Sequence, residues 1–145
     1  MENDLNVKVS EEIKAPVSKV WQALTDPAQI KKYLMGTDVV TDWKKGSFIT
    51  YSGEWKGKNY VDKGEIIDIV PGKLLHTTYL SGMSGKADKP ENYANGVYEL
   101  EDNGTTTTLT LTQDNNKNVQ EQKHAEENWK MVLTGMKDML EKKAA

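Results

Sequence analysis

The chain contains no cysteine and no arginine, and its 145 residues include one phenylalanine and four prolines. Without cysteine there is no thiol nucleophile, thiolate zinc site or iron–sulfur cluster, and disulfides say nothing about redox compartment. Without arginine, all nineteen basic residues are lysines. No guanidinium fork is then present to grip a phosphate or a guanine edge. With a formal charge of −3, this argues against a nucleic-acid partner. No hydrophobic run approaches a membrane-spanning helix, and the start MENDLNVKV has neither the basic nor the apolar segment of a leader. No membrane partner is expected, and the chain reads as cytoplasmic. A Gly-rich phosphate loop, a G-x-S-x-G and an H-E-x-x-H are all missing. His76 and His124 lack partners at ligand spacing, so no metal, no cofactor and no catalytic residue is expected. No internal repeat or linker interrupts the pattern, and the length suits one domain over residues 1–145.

What is present begins with the last stretch, Val119 to Lys143. Ala125, Trp129, Val132, Leu133, Met136 and Leu140 recur at steps of three and four, an apolar stripe on one long helix. At 1.5 Å per residue it runs for roughly 35 Å, and needs an equally long apolar surface beneath it. Strands supply that surface. Leu5 to Lys14 alternates apolar and polar residues. Pro16 to Leu24 then carries Val17, Val20, Trp21 and Leu24 at helical spacing, and Asp26-Pro27 caps a second short helix bearing Ile30, Tyr33 and Leu34. Six further strands are predicted at Val39–Trp43, Ser47–Trp55, Tyr60–Val70, Leu74–Leu80, Asn95–Glu101 and Thr106–Gln113. Asn103-Gly104 marks a hairpin, and Ser81 to Asn92 is a long polar loop. Strands bracketed by helices argue α+β, a curved antiparallel sheet of about seven strands with the terminal helix in its concave face.

Three stretches carry a family resemblance. The run Ile13-Lys14-Ala15-Pro16-Val17-Ser18-Lys19-Val20-Trp21-Gln22-Ala23-Leu24-Thr25-Asp26-Pro27 resembles the opening of START-like (SRPBCC) domains. Within that superfamily it is similar to the branch of the C-terminal domain of the activator of heat-shock protein 90 ATPase. The segments Gly64 to Leu75 and Tyr98 to Gln113 resemble the same branch, and so does the closing helix with Trp129, Leu133 and Leu140. The resemblance covers essentially the whole chain. It implies a helix-grip fold over an apolar cavity, and a superfamily of lipid and hormone binders, cyclases and chaperone co-factors.

On that expectation Trp129, Val132, Leu133, Met136 and Leu140 are candidates to line the cavity, with methionine as a deformable wall. Four Trp and six Tyr against one Phe is a polar-tipped aromatic set. Tyr51, Tyr60, Tyr79 and Tyr98, all in predicted strands, are therefore candidates to orient a ligand's polar end, and Tyr33 is a further candidate on the cavity. Glu11 shares the apolar parity of Val7, Val9 and Ile13, and is either at a bulge or an inward carboxylate. Three functions follow. The first is non-enzymatic binding of a small apolar or amphipathic molecule. The second is a co-chaperone-like interaction with heat-shock protein 90 or a stress-response partner. The third is a cyclase- or hydratase-like enzyme using an inward Tyr or Glu, with Glu11, Glu65 and Glu99 the strand carboxylates, as acid or base.

Overall fold

The structure, a computed structural model, describes residues 5–34, 36–55, 57–80, 87–116 and 118–142. Its elements run β1 (Val7–Ile13), α1 (Val17–Thr25), α2 (Pro27–Tyr33), β2 (Asp38–Thr41), β3 (Phe48–Trp55), β4 (Lys58–Val70), β5 (Leu74–Tyr79), β6 (Ala94–Asp102), β7 (Thr107–Gln113) and α3 (Val119–Lys142). A 3-10 turn at Pro90–Asn92 precedes β6. The order is the expected one, with element ends within a residue or two of the pattern boundaries. The predicted loop Ser81–Asn92 lies partly outside the described residues, as does Lys143 at the helix end.

The seven strands form one antiparallel sheet in the order β1-β7-β6-β5-β4-β3-β2. The helix pair α1–α2 carries the chain from one edge to the other, and each later strand pairs with its predecessor until β7 closes on β1. Asp26 caps α2 by accepting from the Ala28 amide at 3.0 Å, with Pro27 at the first helical position. Asn118 caps α3 through the Glu121 amide at 2.8 Å. These side chains satisfy amides that a helix leaves unpaired at its start.

Strand β4 carries two irregular features. A Cβ on Gly64 would stand 1.7 Å from the Thr78 carbonyl oxygen, so only glycine allows this close approach to β5. Two residues on, Ile66 pairs with Thr77 while Asp68 pairs with His76. Ile67 is thus an extra residue in the ladder, a bulge that bends its strand and increases the twist.

Apolar burial falls into two clusters. The larger joins Val7, Val9 and Ile13 of β1, Leu109 and Leu111 of β7, Val20 and Leu24 of α1, and Leu133, Met136 and Leu140 of α3. The smaller joins Ile30 of α2 to Val39 and Ile49. Tyr33 and Leu34 pack against both, and Tyr33 Oη ties α2 to α1 by donating to the Ala23 carbonyl at 2.8 Å. The middle strands, between the clusters, carry polar or small residues on the same face: Asp62, Thr77 and Gly96. There the helix and sheet part. No helix of the described residues is long and apolar enough to cross a membrane.

Candidate functional site

A cavity of about 650 Å³ fills the gap. Strand parity builds its floor. In β3, Ile49 is buried and Tyr51 follows two residues on along the same face. Asp62, Thr77, Gly96, Tyr98 and Gln113 come from β4 to β7 on that face. Tyr33, Leu34 and Thr37 close one side. The N-terminal half of α3 roofs it with Ala125, Asn128, Trp129 and Val132, while His124 and Met131 reach it from exposed positions.

The walls are held by their polar tips. Tyr79 Oη donates to Asp62 Oδ2 at 2.7 Å, and the Tyr51 and Tyr79 rings meet edge to face at 5.7 Å. Trp129 Nε1 donates to Gln113 Oε1 at 2.8 Å, fastening the helix to the end of β7. Below it, Tyr98 meets the indole edge to face at 6.1 Å. Tyr60 lies across Gly53, where a Cβ would be 2.7 Å from its hydroxyl oxygen. From there Tyr60 Oη shares a 2.7 Å hydrogen bond with the Thr37 hydroxyl. A second hollow of about 660 Å³ shares Tyr79, Ala94, Gln113, His124 and Ala125 with the first. Asn92, Asn115, Asn116 and Asn118 line it, so the apolar cavity continues into an amide-rich mouth.

Burial governs the hydroxyls. It pushes Tyr51 up to about 12, with the Thr77 hydroxyl working against the shift and the Asp62 carboxylate adding to it. Burial also raises Tyr33 and Tyr98 well above the usual tyrosine range, and neighbouring tyrosines add to both. All three hydroxyls therefore stay protonated at neutral pH.

Of the residues expected on the cavity, Tyr33, Tyr51, Tyr79, Tyr98, Trp129 and Val132 line it. Leu133, Met136 and Leu140 do not. They lie in the closed core against β1, β7 and α1, with Leu133 and Met136 fully buried. The same stripe serves two environments because the helix diverges from the sheet towards its N-terminus. Glu11 is also elsewhere. It is half-buried opposite Leu109 in β1, close enough to α3 for its charge to raise the Lys137 pKa, behind the main cause, the hydrogen bond to Glu141. It is an inward-parity carboxylate under the helix rather than a cavity group. His76 faces outward from β5, where Nε2 and Asn95 Oδ1 lie 2.9 Å apart.

Asp62 was missed by the reading of strand carboxylates, although Asp62, Gly64 and Ile66 share one parity in β4. Thr77, Gly96 and Gln113 carried no signal of their own. Their part in the floor depends on the register of neighbouring strands.

Comparison with known proteins fits this architecture. A solved structure from Cytophaga hutchinsonii is 46% identical, with 99% of each chain covered and a TM-score of 0.87. CalU16 from Micromonospora echinospora is 21% identical over 92% of this chain and 73% of its own, with a TM-score of 0.73. The Aha1 dimer from Colwellia psychrerythraea is 22% identical over 93% of this chain and 95% of its own, with a TM-score of 0.71. The latter two likenesses concern the fold alone. No curated protein matches. The sequence model of the family described as activator of Hsp90 ATPase homolog 1-like protein matches residues 14–141; with the helix-grip architecture, that match places the chain in this family.

Proposed function

We propose that the protein binds a small apolar or amphipathic molecule in the cavity between the sheet and the N-terminal half of α3, without covalent chemistry. The observation that carries this reading is the cavity of about 650 Å³, walled by Tyr33, Tyr51, Tyr98 and Trp129. That volume falls in the usual range for small-molecule sites, which are mostly apolar with a few placed polar groups. The polar tips of Tyr33, Tyr60, Tyr79 and Trp129 bond within the protein, which suits a preformed container.

Gly96 supplies the test. A Cβ there meets nothing nearer than Thr77 Oγ1 at 3.8 Å, so Gly96→Leu fills cavity space without forcing the backbone. Fluorescence titration with the neutral probe N-phenyl-1-naphthylamine should give saturable binding to the wild type. The variant should bind at least about tenfold more weakly while melting within a few degrees of it. Equal binding by both proteins would remove the cavity as the site.

A second reading, docking on heat-shock protein 90 or another protein partner, draws on the opposite face of the sheet. There Val40, Phe48 and Val61 are 67%, 79% and 57% exposed on neighbouring strands. The three sit at successive same-face rows of the β2–β3–β4 ladder, and a protein contact would have to span that face.

A further inference from the structure

The second hollow is built largely of carboxamides. Asn92, Gln113, Asn115, Asn116, Asn118 and Gln120 line it, and hydrogen bonds to the protein already orient most of them. Asn115 takes a φ of 63°, in the left-handed region that asparagine tolerates. From there its Nδ2 donates to the carbonyls of Glu91 and Tyr93, at 3.0 Å each. Asn92 Nδ2 donates to the Ala87 carbonyl at 2.8 Å. A main-chain carbonyl only accepts, so these bonds fix which end of each amide is nitrogen and leave the two Oδ1 atoms as acceptors. On the α3 side the polarity is reversed. Asn118 spends its Oδ1 on the Glu121 amide at 2.8 Å, which leaves Nδ2 as a donor. Gln120, exposed beside it, offers both ends. Asn116 and Gln113 are spent within the protein, on the Leu5 carbonyl and on Trp129.

The hollow therefore presents acceptors on one wall and donors on another. An ammonium group only donates and a carboxylate only accepts, so each leaves one wall unpaired. A hydroxyl does both. Glu121 and His124 also line the hollow, and both kinds of side chain pair with hydroxyls. The order of residues along α3 adds a direction. Val132 and Trp129 cover the apolar cavity, His124 and Ala125 border both spaces, and Gln120 and Asn118 border the amide-rich one alone. From Val132 back to Asn118 is about 20 Å along the helix.

We propose that the guest is an amphiphile with a neutral, hydroxyl-rich head such as a glycosyl group, its tail against Trp129 and Val132 and its head among Asn92, Asn115, Asn118 and Gln120. This rests on the binding role proposed for the cavity, and the experiment separates the two. N-phenyl-1-naphthylamine is bound first, then displaced with decyl glucoside, decanoate or decylamine, each kept below its micelle concentration. At about pH 7 the three heads are neutral, negative and positive. Decyl glucoside should compete at least about tenfold more tightly than either ion. The double substitution Asn118→Asp with Gln120→Glu keeps an oxygen for the helix cap and removes both donors. It should cut the glucoside's lead over decylamine to less than about threefold. Ratios are taken within each protein, so any change in probe affinity cancels. Gly96→Leu, in the floor of the apolar cavity, should weaken all three competitors alike.

If the probe binds but the three competitors are equivalent in the wild type, or an ion is the tightest, the inference falls and the cavity reading survives. If the probe itself does not bind, both fall. A glucoside lead that the double variant keeps in full places the head outside the amide-rich hollow and overturns the assignment. Should the double variant fail to fold, Gln120→Glu alone, at an exposed position, takes its place. It should cut the lead at least about threefold, and an undiminished lead overturns the assignment in the same way.

Discussion

Three of the six tyrosines, Tyr33, Tyr51 and Tyr98, are held protonated chiefly by burial. Their folded-state values lie above the ordinary 10.0. The folded protein therefore keeps protons that the unfolded chain releases. Stability from these groups is complete below about pH 10 and declines as pH rises towards and through 12. In an alkaline absorbance titration, the part of the tyrosinate amplitude that belongs to these three should appear only as the fold is lost. All six groups ionising together near pH 10, with circular dichroism unchanged, would mean that the cavity walls are open to bulk water. Tyr51 and Tyr98 could be picked from sequence because a strand period of two and a polar-tipped ring are both local properties, and Tyr33 because it falls on the inner side of a short helix. Asp62 could not be given its weight. Its place in the floor comes from the residues opposite and beside it, and pairwise register across strands is not a local pattern.

Within one element, α3, two physical regimes meet. Leu133 is fully buried against the sheet, so Leu133→Ala should cost about 3 kcal/mol, a transfer loss plus a void. Its effect on probe binding should be small. Trp129→Phe removes the bond to Gln113 and should cost about 1 kcal/mol, yet weaken probe binding. Urea unfolding and fluorescence titration together check this division. The reverse ranking in either measurement would contradict the assignment of the two halves. The helix itself was evident from its stripe, as were the short helices from Pro16 and Asp26 and the last hairpin from Asn103-Gly104. Gly104 does take a positive φ of 92°. The stripe could not reveal where the helix leaves the sheet. A residue facing a filled core and one facing a cavity obey the same 3.6-residue period, and Met136 and Val132 look alike on that criterion. The close approach at Gly64 and the extra Ile67 in β4 carry no signal in that stripe either.

For the molecule as a whole, the sheet divides two surfaces. The inner one carries the cavity, and the outer one presents Val40, Phe48 and Val61 near the β2 edge. Because among the described residues no strand other than β3 pairs with β2, a partner could meet both the edge and the apolar residues. If heat-shock protein 90 is that partner, a pull-down at micromolar concentration should retain it. Phe48→Ser should lose it while N-phenyl-1-naphthylamine binding is unchanged. No retention and no change in the chaperone's ATPase rate would discard the partner reading without touching the cavity. The arrangement of α3 has a mechanical consequence as well. Its C-terminal half is embedded and its N-terminal half spans the cavity, about 20 Å from Val119 to Val132. The helix is thus a lever with its fulcrum near Leu133. A bend of about 5° near Leu133 moves the far end by roughly 2 Å at that length, while the embedded half keeps its packing. If the cavity holds the guest proposed for it, that bend would make room for guests of different bulk, with the Trp129–Gln113 hydrogen bond as its catch.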